Sequence, residues 1–329
     1  MTTTCHVRRL DGFDDPMLAP GDWDRLLGAG ETDVVFLTRE WMQAWWETLG
    51  DGELLLLAAI AQGRIVALAP WYSYGGTVLF LGSGQSDYLD VIGDVSAPGV
   101  LRALVEAARG IVPDFNGFRL FAIPEMCPTG QALQQLGFFT GSRGEWLGPF
   151  VDLSRQRERA LAACDGPKLR KRERFFRHGQ LDLRQFTDAE SITPRLEAYF
   201  AQHIERWKHA KRGSPFLRPR VRAFIEHATA KMGPTGRLRF SCLEWNGRAI
   251  AYEYGWVYRG TYSGGPSCFA TDLASRSPGQ VLERQLMLAA ISEEVETYDF
   301  GIGDEPYKFR YATDVRRVQT WELYPSKCL

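Results

Sequence analysis

The chain has 329 residues, of which 45% are apolar and 24% are charged, and its formal net charge at pH 7 is -1. This is the composition of a folded globular protein that is long enough for two domains of ordinary size. The near-zero charge excludes a strongly basic protein that would attract DNA through its overall field. No apolar stretch approaches the length needed to span a bilayer.

The N-terminal stretch bears on the cellular compartment of the protein, and the spacing of the cysteines bears on metal binding. The N-terminal stretch MTTTCHVRRLDGFDD lacks the apolar region of a secretion signal. We therefore expect a cytoplasmic protein, with peripheral contact to the inner membrane left open. The six cysteines are scattered without a Cys-x-x-Cys pair. This spacing argues against a zinc site and a disulfide framework, so we expect no metal.

In the first half, apolar spacing predicts a helix in TREWMQAWWETLG, with Thr38 as its N-cap. Two apolar runs joined at Gln62 and Gly63 then predict a β-hairpin, and TVLFLG predicts a further strand. A helix is expected to begin at Ser96, with Pro98 in its first turn, before a strand in GFRLFAIPE.

The second half repeats this order of elements. Helices are predicted in KLRKRERFFRHG and ITPRLEAYFAQHIERWKHA, followed by a strand meander with a tight turn at Asn246 and Gly247. A further helix begins in SPGQVLERQL, and TYDFGIG predicts the next strand.

The two halves also share spacing. Each contains Pro-Gly, an amphipathic helix, an aromatic-containing strand and an acid, and the acid follows Pro98 and Pro278 by 27 positions. This repetition predicts a tandem duplication of an α/β (α+β) unit, which we divide into residues 1–153 and 154–329.

The stretch RSPGQVL begins the helix of the second half and is a candidate binding loop. Ser277 is expected to cap the helix, with Gln280 reaching back to complete a capping box. Pro278 suits the first helical position, and Gly279 leaves room for a ligand to approach the backbone. Such a helix start suits a phosphate or pyrophosphate, to which Arg276 adds a cation. A well-capped helix without a ligand is the alternative.

The stretch DFGIGDEPYKFRY contains the Asp-Phe-Gly triplet that binds metal in protein kinases. The glycine-rich loop, the strand lysine and the His-Arg-Asp loop of a kinase are missing upstream. The triplet is a weak pattern by itself, so a kinase is excluded.

Two other side chains are candidates for acid–base chemistry. Glu253 lies between two tyrosines in the apolar strand AIAYEYGWVY, where a carboxyl often has a perturbed pKa. His203 shares a predicted helix face with Tyr199 and Trp207 and is a candidate base. The alternatives are an acid that faces outward from its strand and a histidine that only packs.

The second half resembles the GNAT acyltransferases, whose pyrophosphate loop reads R/Q-x-x-G-x-G/A between a strand and a helix. Arg276 and Gly279 match this pattern, whereas Val281 stands in place of the final Gly or Ala. Nearly the whole chain resembles more closely the CelD/BcsL-like branch, through EWMQAWW, DYLD, LRKRERFFRHG, the Arg-Trp pair, SPG and DFG-x-G-D-E-x-YK. The resemblance implies two tandem GNAT-like domains, each a mixed, mainly antiparallel sheet flanked by helices, as in the FemABX aminoacyl transferases.

The resemblance also implies a co-substrate, an acyl-CoA (coenzyme A thioester), and a binding loop for it. The residues expected in that loop are Arg276, Ser277, Pro278, Gly279, Gln280 and Val281. Acyl transfer to an amine needs a base for the ammonium proton and an acid for the leaving thiolate, roles that suit Asp304 and Tyr307. Lys308 lies in an aromatic-Lys-x-x-aromatic run like the one whose lysine contacts substrate phosphate in FemABX enzymes. A turn capped by Asp304 and a solvated Lys308 form the alternative.

The expected partner is an amine acceptor, which would be a small molecule, a saccharide or a lipid such as the sphingoid amine of ceramide-type N-acylation. One alternative is a FemABX-type transferase that uses aminoacyl-tRNA, although tRNA binding usually needs a strongly basic face. Another is a non-catalytic GNAT-fold binding module. The basic run Lys168 to His178 is a candidate contact for the 3′-phosphate of the coenzyme, a tRNA or a membrane, or a solvated helix face. Acyl chain length and oligomeric state stay open.

Overall fold

The structure, a computed structural model, describes residues 5–97, 99–137, 139–141, 146–208 and 213–324. It divides into two compact units. One unit is Gly148–Val315, and the other combines the residues up to Leu147 with the segment from Arg316 onward. The division of the sequence repeat after residue 153 stays a prediction.

The strands and helices are numbered in chain order. The strands are β1 (His6–Arg9), β2 (Glu53–Ala61), β3 (Arg64–Tyr74), β4 (Thr77–Phe80), β5 (Ile92–Gly93), β6 (Gly117–Pro124), β7 (Thr140–Gly141), β8 (Trp146–Asp152), β9 (Leu181–Phe186), β10 (Leu238–Trp245), β11 (Arg248–Tyr258), β12 (Thr261–Ser263), β13 (Ser267–Phe269), β14 (Thr297–Asp299) and β15 (Asp314–Leu323). The helices are α1 (Asp22–Ala29), α2 (Arg39–Leu49), α3 (Val100–Ile111), α4 (Pro128–Gln135), α5 (Leu153–Cys164), α6 (Pro167–Phe176), α7 (Ala189–Ile192), α8 (Leu196–Trp207), α9 (Pro219–Met232), α10 (Pro278–Ser292) and α11 (Lys308–Tyr311).

The first unit is built on a sheet with the strand order β1-β2-β3-β4-β6-β15. Neighbouring strands run antiparallel, except that β4 and β6 are parallel because α3 crosses over between them. The large side chains of Trp71, Phe80 and Phe118 are fully buried in its core. Their rings contact one another, with centroid distances from Trp71 of 6.4 Å to Phe80 and 5.4 Å to Phe118.

The second unit is built on a sheet with the strand order β9-β10-β11-β12-β14-β8. Its neighbouring strands are antiparallel as well, apart from the parallel pair β12 and β14, between which α10 crosses over. One face of α10 packs on β11 and on α5 and α6. Val281, Leu286 and Met287 of α10 are fully buried in the core of this unit.

Each unit therefore has the same topology: an antiparallel meander of four strands, a helical crossover, a parallel strand and a final antiparallel strand. This confirms the predicted fold class, α/β (α+β) with mixed, mainly antiparallel sheets flanked by helices. The final strand of the first unit is β15, which lies far away in sequence. The final strand of the second unit is β8, which precedes the sequence repeat of that unit.

The two predicted hairpin turns are confirmed. Gln62 and Gly63 join β2 to β3 with φ of 51° and 75°, and Asn246 and Gly247 join β10 to β11 with φ of 52° and 75°. Positive φ at both central residues matches the right-handed twist of the paired strands.

One predicted helix start agrees with the structure and one differs. Thr38 occupies the N-cap position of α2 as predicted, but its hydroxyl donates to the Val35 carbonyl at 2.7 Å and makes no capping hydrogen bond to the helix. Helix α3 begins at Val100 and not at Ser96, since Gly99 before it has a φ of 88°, outside the helical region. Pro98 lies outside the described residues.

Within the described part of the chain, no helix combines the length and the apolar character that crossing a membrane requires.

Candidate active site

A cavity of about 360 Å³ lies in the second unit at the start of α10. Ser277, Gly279 and Gln280 of the predicted binding loop line it. Its other walls come from the C-terminal end of α8, from β13 and from the segment between β14 and α11. The structure thus joins the predicted loop to a space large enough for part of a small ligand.

The loop begins α10 in a way that the sequence pattern did not predict. Pro278 occupies the first helical position as expected, but Ser277 has a left-handed backbone (φ 55°, ψ 53°) and its side chain makes no capping hydrogen bond. The predicted capping box is therefore wrong, because a capping side chain needs an extended backbone at that residue. Instead the Ser277 carbonyl accepts hydrogen bonds from the amides of Gln280 (3.1 Å) and Val281 (3.3 Å).

Gln280 is held by arginines and does not reach back along the helix. Its side-chain oxygen accepts hydrogen bonds from Arg172 of α6 and, at 3.0 Å, from Arg310 of α11. The guanidinium of the exposed Arg276 lies 4.2 Å from the ring centroid of Phe175. Guanidinium groups from three segments thus lie around the N-terminal end of α10, where the helix dipole also favours an anion.

Gly279 is the position where backbone and cavity meet. A Cβ atom there would lie 3.1 Å from a ring carbon of Phe269, which also lines the cavity. The glycine leaves that space open beside the helix start. Val281, in contrast, is fully buried in the core. Helix dipole, glycine and arginines together fit the pyrophosphate of a CoA-type co-substrate.

Glu253 of β11 is buried, with 4% of its surface exposed, so it does not face outward. The Tyr262 hydroxyl donates a hydrogen bond to its Oε1 at 2.7 Å. Burial raises the pKa of Glu253, and the charge of Glu283 raises it further. The hydrogen bond from Tyr262 and the positive charge of Lys308 act in the opposite direction.

Glu283 of α10 is a candidate residue that the sequence reasoning missed. It is 7% exposed and lines the cavity, and its Oε1 atom has no hydrogen-bond partner among the described residues. Burial raises its pKa, while the nearby Tyr298 hydroxyl and Lys308 lower it. A signal for Glu283 was present in its spacing, because a residue four positions after Gly279 lies on the same face of the helix. The apolar residues around Glu283 made it look like part of a core-packing segment.

Lys308, which follows the cavity-lining Tyr307, is buried and does not lie on the surface. It is 5% exposed, so the alternative of a solvated charge is wrong. Its Nζ donates to the carbonyl of Ile302 at 3.0 Å and to that of Gly301 at 3.4 Å, and lies 3.0 Å from Glu305 Oε2. Since protein oxygens take up these donors, the ammonium acts on the site through its charge.

Tyr307 is half-buried and lines the same cavity. Burial raises the pKa of its hydroxyl, and the charges of Glu283, Glu253 and Glu305 raise it further. The hydroxyl therefore keeps its proton at neutral pH and is available as a donor.

Two other predicted site residues lie elsewhere. Asp304 is exposed and is not among the residues that line the cavity. His203 is 4% exposed, its Nδ1 lies 2.9 Å from Ser214 Oγ, and its ring packs against Phe216 at 4.7 Å between centroids. Burial lowers the pKa of His203 to about 4, so the ring is neutral at pH 7.

Comparison with known proteins finds a family model that is similar to part of the second unit. Residues 168–309 match the family model described as an acetyltransferase (GNAT) domain. The match includes α6, the meander, the binding loop, α10 and Lys308. No curated protein matches the chain significantly.

Three solved structures resemble the chain in fold. FemX has a TM-score of 0.66 at 10% identity, covering 92% of this chain and 96% of that one. L-PGS from Bacillus licheniformis has a TM-score of 0.56 at 14% identity, covering 89% and 93%. A tandem GNAT protein from the clavulanic acid biosynthesis pathway has a TM-score of 0.56 at 14% identity, covering 98% and 100%. At these identities the three structures show that the chain shares their fold.

Proposed function

We propose that this protein is an N-acyltransferase that moves an acetyl or longer acyl group from a CoA thioester to an amine. The observation that carries the proposal is that the binding loop, a buried carboxyl group and a protonated tyrosine line one cavity. These are the groups that direct transfer needs: an anion-binding helix start, a proton acceptor and a proton donor. The resemblance to the CelD/BcsL-like branch favours an acceptor amine on a saccharide or a lipid.

In this proposal the chain binds both substrates and moves protons. The start of α10, with Gly279 and the surrounding arginines, holds the phosphates, and the bound thioester supplies an activated acyl carbon. A buried carboxyl beside the cavity takes a proton from the ammonium group. The free amine then forms a C–N bond to the acyl carbon as the C–S bond breaks. Tyr307 gives its proton to the thiolate and recovers one from the amine nitrogen, and the carboxyl returns its proton to solvent.

The first test is a thermal-shift titration of the full chain with CoA, acetyl-CoA and palmitoyl-CoA. A ligand that binds only the native state adds about 2.7 kcal/mol of stability at a hundredfold excess over Kd. We expect stabilisation by CoA compounds, and the preferred acyl chain separates acetyl transfer from lipid N-acylation. No shift with any CoA compound would overturn the proposal.

A substitution in the binding loop tests whether CoA binds at the cavity. Gly279→Asp places a carboxylate and a Cβ atom against Phe269 at the phosphate end, so CoA affinity should fall at least about tenfold. The matched control is Gly247→Asp in the β10–β11 turn, where a Cβ meets nothing within 4 Å. Equal CoA affinity of the two variants would mean that the loop is not the binding site.

The FemABX-type alternative is tested in the same titration with deacylated and aminoacylated tRNA. The local basic face of α6 favours including it, since Lys168, Arg170, Lys171 and Arg174 are exposed. Stabilisation by aminoacylated tRNA without a response to CoA would move the protein to that class.

A further inference from the structure

We infer that the outer side of α5 and α6 is a docking surface for a membrane that contains anionic lipid. The docking surface is defined by its exposed residues Arg157, Leu161, Lys168, Lys171 and Arg174. This interaction goes beyond the proposed function and does not depend on it, because none of these residues lines the cavity at the start of α10.

The first argument is the uneven distribution of charge along the chain. Residues 153–177 contain nine Lys and Arg but only three Asp and Glu, although the whole chain has a formal net charge of -1. The positive charge is therefore concentrated on two consecutive helices, and the rest of the chain is acidic. A basic cluster of this size attracts a surface of anionic lipid headgroups.

The second argument is that part of this positive charge has no partner in the protein. Some of the cations form ion pairs, as Arg170 does with Asp165 at 2.9 Å. The exposed cations of these helices without a hydrogen-bond or ion-pair partner among the described residues are Arg157, Lys168, Lys171 and Arg174. These four side chains can contact lipid phosphates without first breaking a contact within the protein.

The third argument is the orientation of α6. Its buried side carries Leu169 and Phe176. Since each helical residue is rotated by about 100° from the one before, Lys171 and Arg174 lie on the opposite side. Arg172, in contrast, contacts the binding loop at the start of α10. The helix therefore separates the cation that holds the loop from the cations that point into solvent.

The fourth argument is an apolar component in the same surface. Leu161 of α5 is 39% exposed. Together with Ala162 and Cys164 of α5 and Leu288 of α10, it lines a groove of about 380 Å³. An exposed leucine beside an apolar groove and a group of cations suits the boundary of a bilayer. There the apolar side chain inserts between acyl chains while the cations stay with the headgroups.

Nucleic acid is the other polyanion that a basic cluster attracts. Single-stranded RNA is usually bound through aromatic side chains on which its bases stack. The aromatic side chains of α5 and α6 are Phe175 and Phe176, and neither is exposed. The exposed large apolar side chain of these helices is the aliphatic Leu161, so the observations favour a bilayer.

The test is sedimentation of the full chain with vesicles of phosphatidylcholine alone and with vesicles of phosphatidylglycerol and phosphatidylcholine at about one to three. We expect binding to the anionic vesicles only, and weaker binding as salt is raised. The double variant Lys171→Ala, Arg174→Ala should bind at least about tenfold more weakly, since each cation near an anionic bilayer contributes about fivefold. The control Arg102→Ala, Arg109→Ala removes two exposed cations from α3 and should bind as the wild type does.

A further variant tests the apolar contact. Leu161→Ser should weaken binding to the anionic vesicles about threefold or more, because less apolar surface is buried in the bilayer. Its binding to tRNA, a polyanion without an apolar phase, should equal that of the wild type.

The outcomes separate the bilayer from other anions. Absence of binding to the anionic vesicles, or equal binding by the two double variants, overturns the inference. Tighter binding to tRNA than to vesicles, with no effect of Leu161→Ser, also overturns it and assigns the surface to nucleic acid. A loss of CoA affinity in Lys171→Ala, Arg174→Ala without a loss of vesicle binding would assign the two cations to the coenzyme instead. Because CoA binding by the wild type is measured separately, the docking surface and the proposed function can fail independently.

Discussion

Glu253 and Lys308 show how a few buried residues determine the chemistry of the second unit. Glu253 is buried on β11 and accepts a hydrogen bond from Tyr262, while Lys308 supplies the nearest opposing charge. Burying a carboxylate is costly, so burial favours the protonated form of Glu253 in the folded protein. This shift in its pKa predicts an effect of pH on stability.

The pH prediction concerns Glu253→Gln. Because burial raises the pKa of Glu253 in the folded protein, its contribution to stability is full below the ordinary value of about 4.3 and is lost as pH rises through the folded value. The wild type should therefore lose stability towards alkaline pH more steeply than Glu253→Gln, by on the order of 1 kcal/mol. Urea unfolding between pH 5 and pH 9, about the range in which most proteins are stable, measures the difference.

The control for this measurement is Glu293→Gln, an exposed change at the C-terminal end of α10 that should follow the wild-type curve. Parallel curves for Glu253→Gln and the wild type would contradict a raised pKa at Glu253.

At the scale of elements, the segment between β14 and α11 positions Lys308 and Tyr307. Gly303 has a φ of 148°, and a Cβ atom there would lie 2.2 Å from Glu305 Oε2 and 2.7 Å from Lys308 Nζ. Only glycine fits beside this ion pair without displacing one of its partners.

Gly303→Ala should therefore destabilise the protein by about 1–3 kcal/mol, because it adds backbone strain and displaces the Glu305–Lys308 pair. Gly247→Ala is the matched comparison. Its φ is 75°, but a Cβ there meets nothing within 4 Å, so the loss of stability comes from backbone strain alone. Urea unfolding of both variants gives the two costs. A Gly303→Ala variant as stable as Gly247→Ala would show that the ion pair tolerates the methyl group.

The basic helix α6 is also explained by its contacts. Its one buried acid, Glu173, lies 2.6 Å from Arg284 of α10 and accepts a hydrogen bond from Gln285 at 2.7 Å. Leu169 and Phe176 are buried on the same helix. One face of α6 is thus anchored to α10. Of its basic residues, Arg172 contacts Gln280 of the binding loop, and Lys168, Arg170, Lys171 and Arg174 are exposed.

At the scale of the whole molecule, the described residues contain no group of three or more His, Cys, Asp or Glu side chains that could hold a metal ion. Dialysis against EDTA should therefore leave the melting temperature and the CoA affinity unchanged. Loss of either, restored by adding back Zn²⁺ or Mg²⁺, would contradict this prediction and indicate a metal requirement.

The repeat and its strands show how much of the fold could be predicted from the sequence. Apolar periodicity and turn residues are local signals, so they predicted the β2–β3 and β10–β11 hairpins and the course of α2, α6 and α10. The final strand of each sheet was not predictable in this way. Strands β8 and β15 were not among the predicted elements, and no local signal tells which sheet a strand joins.

The residues of the candidate site likewise fall into those that could be predicted from the sequence and those that could not. Pro278, Gly279 and Tyr307 could be selected from the sequence, because turn chemistry and family resemblance act on neighbouring residues. Glu283 and the burial of Lys308 could not, since both depend on what packs against α10 and α11 from β11, β12 and β14.

By itself, the sequence determined the order of the predicted helices and strands, the spacing that repeats between the two halves and the loop at the start of α10, because these follow from spacing along the chain. The tertiary structure decided which carboxyl lines the cavity, why Ser277 does not cap its helix and where His203 and Lys308 are buried. Burial, desolvation and ion pairing depend on residues that are distant in sequence, and the packing of the sheet against its helices is what brings those residues together.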